Sequence, residues 1–264
     1  MWRCVDILAK ERQRHIEEFL RKDGAVNTSK LVEEFQVSIE TVRRDFLAME
    51  QAGILNRVHG GAVAVGGMQT FHELQTRNEE HSSGKQELAG YACQFIQEGD
   101  YLALDAGSTS PHLAEMLKRK YNRLTVVTYS SDVYEILRDN PGIQVILCGG
   151  YYMPGERAFY GSFTLEMLNK LHVQKAFICP SAISLEHGIC DFQQDIYLLQ
   201  QKLLEISDHI YILADSSKYE KRGLLKLDEM NPEYHYITDS GLSPELKRIY
   251  LENQMQVCNE INSK

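Results

Sequence analysis

Short apolar runs alternate with helical patterns between residues 88 and 237, and this alternation limits the possible folds more than any other feature of the sequence. The apolar runs have the length of strands and lie at 101–104, 124–127, 145–147, 176–179, 210–213 and 234–237. Strands that are joined through helices usually lie parallel in one sheet. The sequence therefore predicts an α/β domain with a mainly parallel sheet.

Small and polar residues follow five of these strands, at the sheet edge where ligands bind in folds of this kind. Gly107 lets a ligand approach the backbone closely. The amides of 107–110 precede a helix that opens with Pro111, and these amides and the N-terminus of that helix favour phosphate. Each loop alone is ordinary turn and cap chemistry, but together with the positive charge of Lys218 they predict a site for an anion. The candidate ligand residues are Asp105, Gly107, Ser108, Thr109, Ser110, Thr128, Tyr129, Ser130, Gly149, Gly150, Ser181, Asp215 and Lys218.

The N-terminal part of the chain has a different pattern, with helical spacing up to residue 52. Apolar residues three and four apart from 39 to 49 predict a helix capped by Ser38, and 31–35 predicts a shorter helix before it. Two such helices, the second with adjacent arginines on its polar face, are typical of helix-turn-helix DNA binding. We expect that face to carry Glu40, Thr41, Arg43, Arg44 and Asp45.

A small hairpin is predicted over 54–65, with a Gly-Gly tip at 60 and 61. Appended to a helix-turn-helix, such a hairpin forms a wing that contacts phosphates or the minor groove. The candidate DNA contacts are Thr28, Ser29, Ser38, Glu40, Thr41, Arg43 and Arg44 on the helices and Arg57 and His59 on the wing. The pattern alone also fits a three-helix bundle with solvated charges.

Charge is distributed unevenly along the chain. The 28 basic and 37 acidic residues give a formal net charge of -9, yet residues 1–67 hold ten of each sign and are neutral. An acidic chain argues against non-specific coating of nucleic acid, because phosphate binding is largely electrostatic. Specific DNA binding by the N-terminal part therefore requires a local basic face rather than a positive net charge.

Other classes of protein are excluded by composition and spacing. No run of 18 apolar residues predicts a membrane-spanning helix, and charges near the start argue against a signal peptide. The six cysteines are scattered, which predicts reduced thiols in a cytoplasmic protein rather than disulfides or a zinc site. We expect no metal and no cofactor.

Two runs of residues closely resemble the DeoR family of bacterial transcription regulators. They are V-S-I-E-T-V-R-R-D-F at 37–46, and M-E at 49–50 followed by G-x-L-x-R-x-H-G-G-A at 53–62. The resemblance implies a winged helix-turn-helix that binds operator double-stranded DNA, with the T-V-R-R-D helix in the major groove.

The resemblance extends into the α/β part through D-x-G-S-T at 105–109, V-V-T-x-S at 126–130, the glycines 149, 150 and 161, and L-A-D-S-S-K at 213–218. It implies the DeoR-type sensor domain, which shares its fold with ribose-5-phosphate isomerase, glucosamine-6-phosphate deaminase and CoA transferases. Family sensors respond to phosphorylated sugars or related metabolites, and the proteins are homo-oligomers, dimers or tetramers. The expected domains are a DNA-binding domain at 1–65, a linker at 66–84 and an effector-binding and oligomerisation domain at 85–264.

The sequence departs from the family pattern at Tyr129, Cys179, Ala182 and Gln200. These departures lead to the hypothesis that the effector is atypical, less charged or absent. One alternative is an enzyme of the same fold, a sugar-phosphate isomerase or deaminase with Asp105 or Asp215 as base. Another is a regulator whose C-terminal domain only oligomerises. We expect a repressor of a carbohydrate operon and assign no catalytic residue.

Overall fold

The computed structural model of the chain describes residues 9–23, 25–58, 61–64 and 74–260. The chain divides into two compact units, Met1–Thr70 and Phe71–Lys264, which are called the N-terminal unit and the C-terminal unit below. The division falls inside the predicted linker, 66–84.

Three helices and a three-stranded sheet form the N-terminal unit. In chain order they are α1 (Ala9–Asp23), β1 (Ala25–Asn27), α2 (Thr28–Phe35), α3 (Ile39–Gln51), β2 (Leu55–Val58) and β3 (Gly61–Ala64). The sheet has the order β1-β3-β2, and both pairs are antiparallel. The two strands of the predicted hairpin are confirmed as β2 and β3. Of its predicted tip, Gly61 instead begins β3 and pairs with Val58, and Gly60 lies outside the described residues. Strand β1 was not predicted, because three residues are too few for a periodic signal.

Local signals in the sequence explain where α2 and α3 begin. The Asn27 side chain accepts a hydrogen bond from the Ser29 amide at 2.8 Å, and the Ser38 hydroxyl accepts one from the Thr41 amide at 3.2 Å. Gln36 ends α2 in the left-handed conformation, with φ of 55°. Apolar faces of the three helices then share one core with the wing: Ile16, Leu20, Leu31, Phe35, Val42, Phe46, Met49, Leu55 and Ala62.

Helices and strands alternate in the C-terminal unit. Its helices are α4 (Leu74–Glu79), α5 (Ser82–Ala92), α6 (Ser110–Lys120), α7 (Ser131–Leu137), α8 (Ser162–Leu168), α9 (Gln194–Glu205) and α10 (Pro244–Glu252), with 3₁₀ turns at Cys93–Phe95 and Ser216–Lys218. Its strands are β4 (Tyr101–Leu104), β5 (Leu124–Thr128), β6 (Ile143–Leu147), β7 (Tyr151–Met153), β8 (Ala158–Tyr160), β9 (Val173–Ile178), β10 (Ala182–Ser184), β11 (Gly188–Asp191), β12 (Ser207–Leu213), β13 (Leu225–Asp228), β14 (His235–Ile237) and β15 (Gln256–Cys258).

The main sheet has seven strands in the order β15-β14-β12-β9-β4-β5-β6, and every neighbouring pair is parallel. All six predicted strands are in it, so the prediction of a mainly parallel α/β domain is confirmed. Alternate strand residues point to opposite faces. One face packs with α9 through Ala103, Val127, Ala176 and Ile212, and the other packs with α5, α6 and α7 through Leu102, Leu104, Val126 and Phe177.

Two small antiparallel sheets lie outside the main one. They are the β7–β8 hairpin and a three-stranded sheet with the order β10-β11-β13, and neither was predicted. The predicted linker, 66–84, contains α4 and the first residues of α5. None of the described helices combines the length and the apolar character that crossing a membrane requires.

Candidate functional sites

The outer face of α3 carries the exposed side chains Glu40, Arg43 and Arg44, because Val42, Phe46 and Met49 turn inward. Arg43 Nη1 donates to Glu40 Oε1 at 2.9 Å, and both side chains are exposed. Exposed ion pairs contribute only about 0–1 kcal/mol, so DNA phosphates or base edges can replace this one at low cost.

Serine and threonine residues at the helix starts have local roles as well. Ser38 Oγ and Thr41 Oγ1 lie 2.9 Å apart and share a hydrogen bond at the start of α3. At the start of α2, Ser29 is exposed and Thr28 is buried against the core. Ser29 is therefore more accessible to a phosphate than Thr28.

Asp45 does not lie on the exposed face of α3, which corrects the prediction. Its Oδ2 accepts a hydrogen bond from Arg12 Nε at 2.7 Å, and the two side chains are only 5% and 10% exposed. Gln13 also donates to Asp45 Oδ1, at 3.3 Å. This buried pair fixes α3 against α1. The pair was not predicted, because its two residues are far apart in the chain.

Arg57 on the wing is tied to the last turns of α3. Its amide donates to Glu50 Oε1 at 2.9 Å and its Nε donates to Glu50 Oε2 at 2.7 Å. These hydrogen bonds lower the pKa of Glu50. Arg57 is thereby held beside α3 with its guanidinium exposed. The other candidate on the wing, His59, lies outside the described residues.

In the C-terminal unit, the candidate ligand residues after β4, β5, β9 and β12 meet at one sheet edge, because these strands are parallel neighbours. Gly107 adopts a φ of 115°, which favours glycine. The side chain of Ser110 lies 3.2 Å from Cys179 Sγ. Thr109 Oγ1 and Ser108 are buried, and Thr109 Oγ1 has no hydrogen-bond partner in the described part of the chain.

Asp105 lies beneath this edge with 0% exposure. Its Oδ1 accepts from the Tyr129 hydroxyl and from the Ala106 amide, and its Oδ2 accepts from the Cys179 amide and Gln200 Nε2, both at 2.8 Å. Burial raises the pKa of Asp105 to about 7 despite these hydrogen bonds. Three of the four departures from the family pattern thus meet at one carboxylate.

Gln200 links Asp105 to a second buried carboxylate, Asp191, to which Nε2 donates at 3.1 Å. Asp191 also accepts from the Ser181 hydroxyl at 3.1 Å. Gln200 Oε1 is buried and has no partner among the described residues. Sequence reasoning missed Asp191, because it lies in an unpredicted strand and matches no motif.

Other candidate residues form hydrogen bonds within the protein. Thr128 Oγ1 donates to Leu104 O at 2.8 Å, and Ser130 caps α7 through the Val133 amide at 3.3 Å. Gly149 O accepts from Thr164 Oγ1 at 3.1 Å. A Cβ atom at Gly150 would lie 2.3 Å from Thr164 Oγ1 and 2.4 Å from a backbone oxygen, so close packing against α8 explains this glycine.

Two buried lysines supply positive charge at the sheet edge. Lys218, 8% exposed, donates to Pro180 O at 2.7 Å, and Asp215 caps the turn that carries it by accepting from the Ser217 amide at 3.1 Å. Lys85 of α5, 2% exposed, was not predicted. Burial and then the charge of Lys218 lower the pKa of Lys85 to about 8, while Asp215 opposes the shift. We call Lys85, Lys218 and the amides of 107–110 the strand-end site.

A cleft of about 750 Å³ lies elsewhere on the C-terminal unit, between α4, α7 and the turn of the β7–β8 hairpin. Its lining residues are Leu74, Gln75, Asn78, Asp132, Tyr152, Pro154, Gly155 and Arg157. None of them belongs to the strand-end site, so the cleft and the site are separate features.

Family models match both units. A DeoR-like helix-turn-helix domain matches residues 12–66, and a DeoR C-terminal sensor domain matches residues 80–240. The chain is 30% identical to the uncharacterized HTH-type transcriptional regulator YulB of Bacillus subtilis, over 95% of this chain and 96% of that protein. It is 29% identical to the lactose phosphotransferase system repressor of Lactococcus lactis, over 89% and 93% of the two chains.

Among solved structures, the chain is similar to ribose 5-phosphate isomerase A of Neisseria gonorrhoeae, which is 18% identical. The match covers 57% of each chain with a TM-score of 0.40, a similarity too low to carry a functional conclusion. The family models and the relatives cover almost the whole chain and agree with each other. The chain therefore belongs to the DeoR family of helix-turn-helix transcriptional regulators.

Proposed function

We propose that this regulator is a cytoplasmic repressor of a carbohydrate operon, released from its operator by a phosphorylated sugar or a related metabolite. The name of the lactose phosphotransferase system repressor supports the sugar operon. The observation that carries the effector class is the strand-end site. Two buried lysines beside the backbone amides at the start of α6 suit a phosphate group.

The proposed DNA contacts lie on the exposed face of α3, at the start of α2 and on the wing. They are Ser29, Ser38, Glu40, Thr41, Arg43, Arg44 and Arg57, together with Thr28 and His59. Short polar side chains and arginines are the groups that reach base edges and phosphates. The proposed domains are 1–65 for DNA binding, 66–84 for the linker and 85–264 for effector binding and oligomerisation.

The proposed effector residues divide into direct contacts and supports. Lys218, Lys85 and the amides of 107–110 contact the anion. Asp105 and Tyr129 support the site from below, since both are fully buried and the Tyr129 hydroxyl donates a hydrogen bond to Asp105. The internal hydrogen bonds of Asp105 argue for an effector that makes no contact with this carboxylate. The departures at Tyr129 and Gln200 led to the hypothesis of an effector that is atypical, less charged or absent, and titration with sugar phosphates tests that hypothesis.

An isomerase or deaminase is the weaker proposal. Proton abstraction needs a base that reaches the substrate. Asp105 is 0% exposed and accepts four hydrogen bonds, and Asp215 is buried as the cap of a 3₁₀ turn. Neither carboxylate is available for that role.

The test combines DNA binding with calorimetry. Footprinting on DNA that flanks the gene should give a protected site with two halves, because a homo-oligomer presents two N-terminal units. A panel of sugar phosphates, each paired with its unphosphorylated sugar, is then titrated into the full chain. Protection that is lost with one phosphorylated compound, and kept with its sugar, is the expected result. No protected site, or heat from none of the panel, would contradict the proposal.

A further inference from the structure

Helix α4 is the first described element of the C-terminal unit, and the chain enters it from the N-terminal unit. Leu74 buries its side chain in the C-terminal unit. Arg77 Nη2 pairs with Glu156 Oε2 of the β7–β8 turn, and the two side chains are 18% and 7% exposed. The cleft of about 750 Å³ lies along α4 as well, so this helix has space beside it.

Lys85 holds the other end of α4. Its Nζ donates to the Arg77 carbonyl and, at 2.7 Å, to the Glu80 carbonyl. The last carbonyls of a helix lack partners within it and form its negative end, so an ammonium group stabilises them. An ammonium has three N–H donors, and Lys85 uses two of them at the end of α4.

Lys85 belongs to the strand-end site at the same time. The charges of Lys218 and Asp215 both act on its ammonium, and the charges of both lysines act on the Cys179 thiol. Burial and then the charge of Lys85 lower the pKa of His112 of α6. One buried ammonium therefore contacts the end of α4 and lies within electrostatic range of Lys218 and Asp215.

We propose that Lys85 couples the strand-end site to α4, and so to the N-terminal unit: an anionic effector draws the Lys85 ammonium away from the Arg77 and Glu80 carbonyls and loosens α4. The reason is that a hydrogen bond to a phosphate oxygen is stronger than one to a neutral carbonyl. An anion between Lys85 and Lys218 also removes the repulsion between two buried ammonium groups. This inference rests on the proposed anion site.

Inorganic phosphate is the probe, because both proposals need only its charge. The full chain, Lys85→Met and the control Lys118→Met, an exposed lysine of α6, are titrated by calorimetry. Lys85→Met should bind phosphate about tenfold more weakly, the loss of one charge-assisted hydrogen bond. The control should bind as the wild type does. Wild-type protein that binds no phosphate would contradict the anion site, and this inference with it.

Proton uptake gives a second readout. The groups that act on Lys85 are Lys218, Asp215, Arg77 and Glu80, and its own charge acts on His112 and Cys179. The pKa of Lys85 is about 8. Bound phosphate should raise it, so near pH 8 the wild type should take up protons on binding, measured in buffers of different ionisation enthalpy. Lys85→Met should take up fewer protons, because only the phosphate itself and the remaining groups still titrate. Uptake that is unchanged in Lys85→Met would show that phosphate does not contact Lys85.

Hydrogen exchange tests the coupling itself. Saturating phosphate should increase amide exchange in peptides that cover 74–85 in the wild type and in Lys118→Met, but not in Lys85→Met. Should Lys85→Met unfold, Lys85→Arg serves instead and should retain both binding and the exchange response, because it keeps the charge. Phosphate that binds the wild type without changing exchange at 74–85 would overturn the coupling and leave the anion site intact.

Discussion

At the scale of the residue, Asp105 is a carboxylate that the fold buries completely. Its carboxylate has no contact with water, and hydrogen bonds from Tyr129, Gln200 and two backbone amides compensate for the lost hydration. Burial outweighs these bonds and raises its pKa to about 7. Ionised Asp105 is therefore a cost to the folded state near neutral pH.

The free energy of unfolding should depend on Asp105 between pH 4 and 7. Its pKa is raised on folding, from about 3.9, so the folded state holds a proton that the unfolded state has lost. Stability should fall as pH rises through this window, by about 2 kcal/mol between pH 5 and 7. Asp105→Asn should remove this dependence, because an amide side chain does not titrate in this range.

Urea unfolding at several pH values measures this effect. Asp139→Asn is the matched control, because Asp139 is an exposed carboxylate. Its profile should follow that of the wild type. Equal pH dependence in Asp105→Asn and the wild type would mean that Asp105 is ionised at ordinary pH in the folded protein.

Arg43 and Arg44 carry the prediction for DNA. Arg43→Ala or Arg44→Ala should weaken specific operator binding by about 1–3 kcal/mol where the residue reads a base, and should mainly lower the salt slope where it contacts a phosphate. Arg14→Ala on α1, an exposed arginine paired with Glu18, is the control. Fluorescence anisotropy at several salt concentrations measures both quantities. Unchanged binding in both variants would contradict the assignment of α3 as the recognition helix.

Sequence reasoning was strong where function depends on residue type at a local spacing. The caps at Asn27 and Ser38, the exposed arginines of α3 and the small residues after the strands are all local features. It failed for Lys85, Asp191 and Arg12, whose partners come from distant segments. Such contacts depend on how elements pack, and a single sequence carries no periodic signal for them.

At the scale of the element, α3 must be fixed precisely to present its arginines. The buried pair Arg12–Asp45 holds it against α1, and the contact between Glu50 and Arg57 holds the wing against its last turns. The two contacts differ in burial and so in their expected energies. Removing one partner of the buried pair should destabilise the fold strongly, whereas the exposed pair contributes little to stability.

Arg12→Met should destabilise the N-terminal unit by about 3–5 kcal/mol, because Asp45 is left as a buried charge without its arginine. The double variant Arg12→Met with Asp45→Leu should recover most of that loss, since no uncompensated charge remains. Urea unfolding of the full chain, with operator binding measured in parallel, compares the two. Equal destabilisation by the single and double variants would mean that packing, not charge, explains the effect.

At the scale of the whole molecule, the charge distribution supports regulated rather than general DNA binding. The net charge of -9 comes entirely from residues 68–264, while residues 1–67 are neutral. An acidic C-terminal part repels DNA that the recognition helix does not hold specifically. If the proposed DNA contacts on α3, α2 and the wing are right, release by an effector needs to remove only the contribution of those few side chains.

Linkage requires that operator and effector affect each other equally. If a sugar phosphate lowers operator affinity by a given factor, bound operator must lower the affinity for that sugar phosphate by the same factor. Couplings of this kind are typically about 1–3 kcal/mol, or 5–150-fold. Calorimetric titration of the effector into free protein and into the protein–operator complex measures one factor, and anisotropy with and without effector measures the other. Unequal factors would mean that the effector acts by changing oligomerisation, which adds a third equilibrium, rather than by changing operator affinity within one assembly.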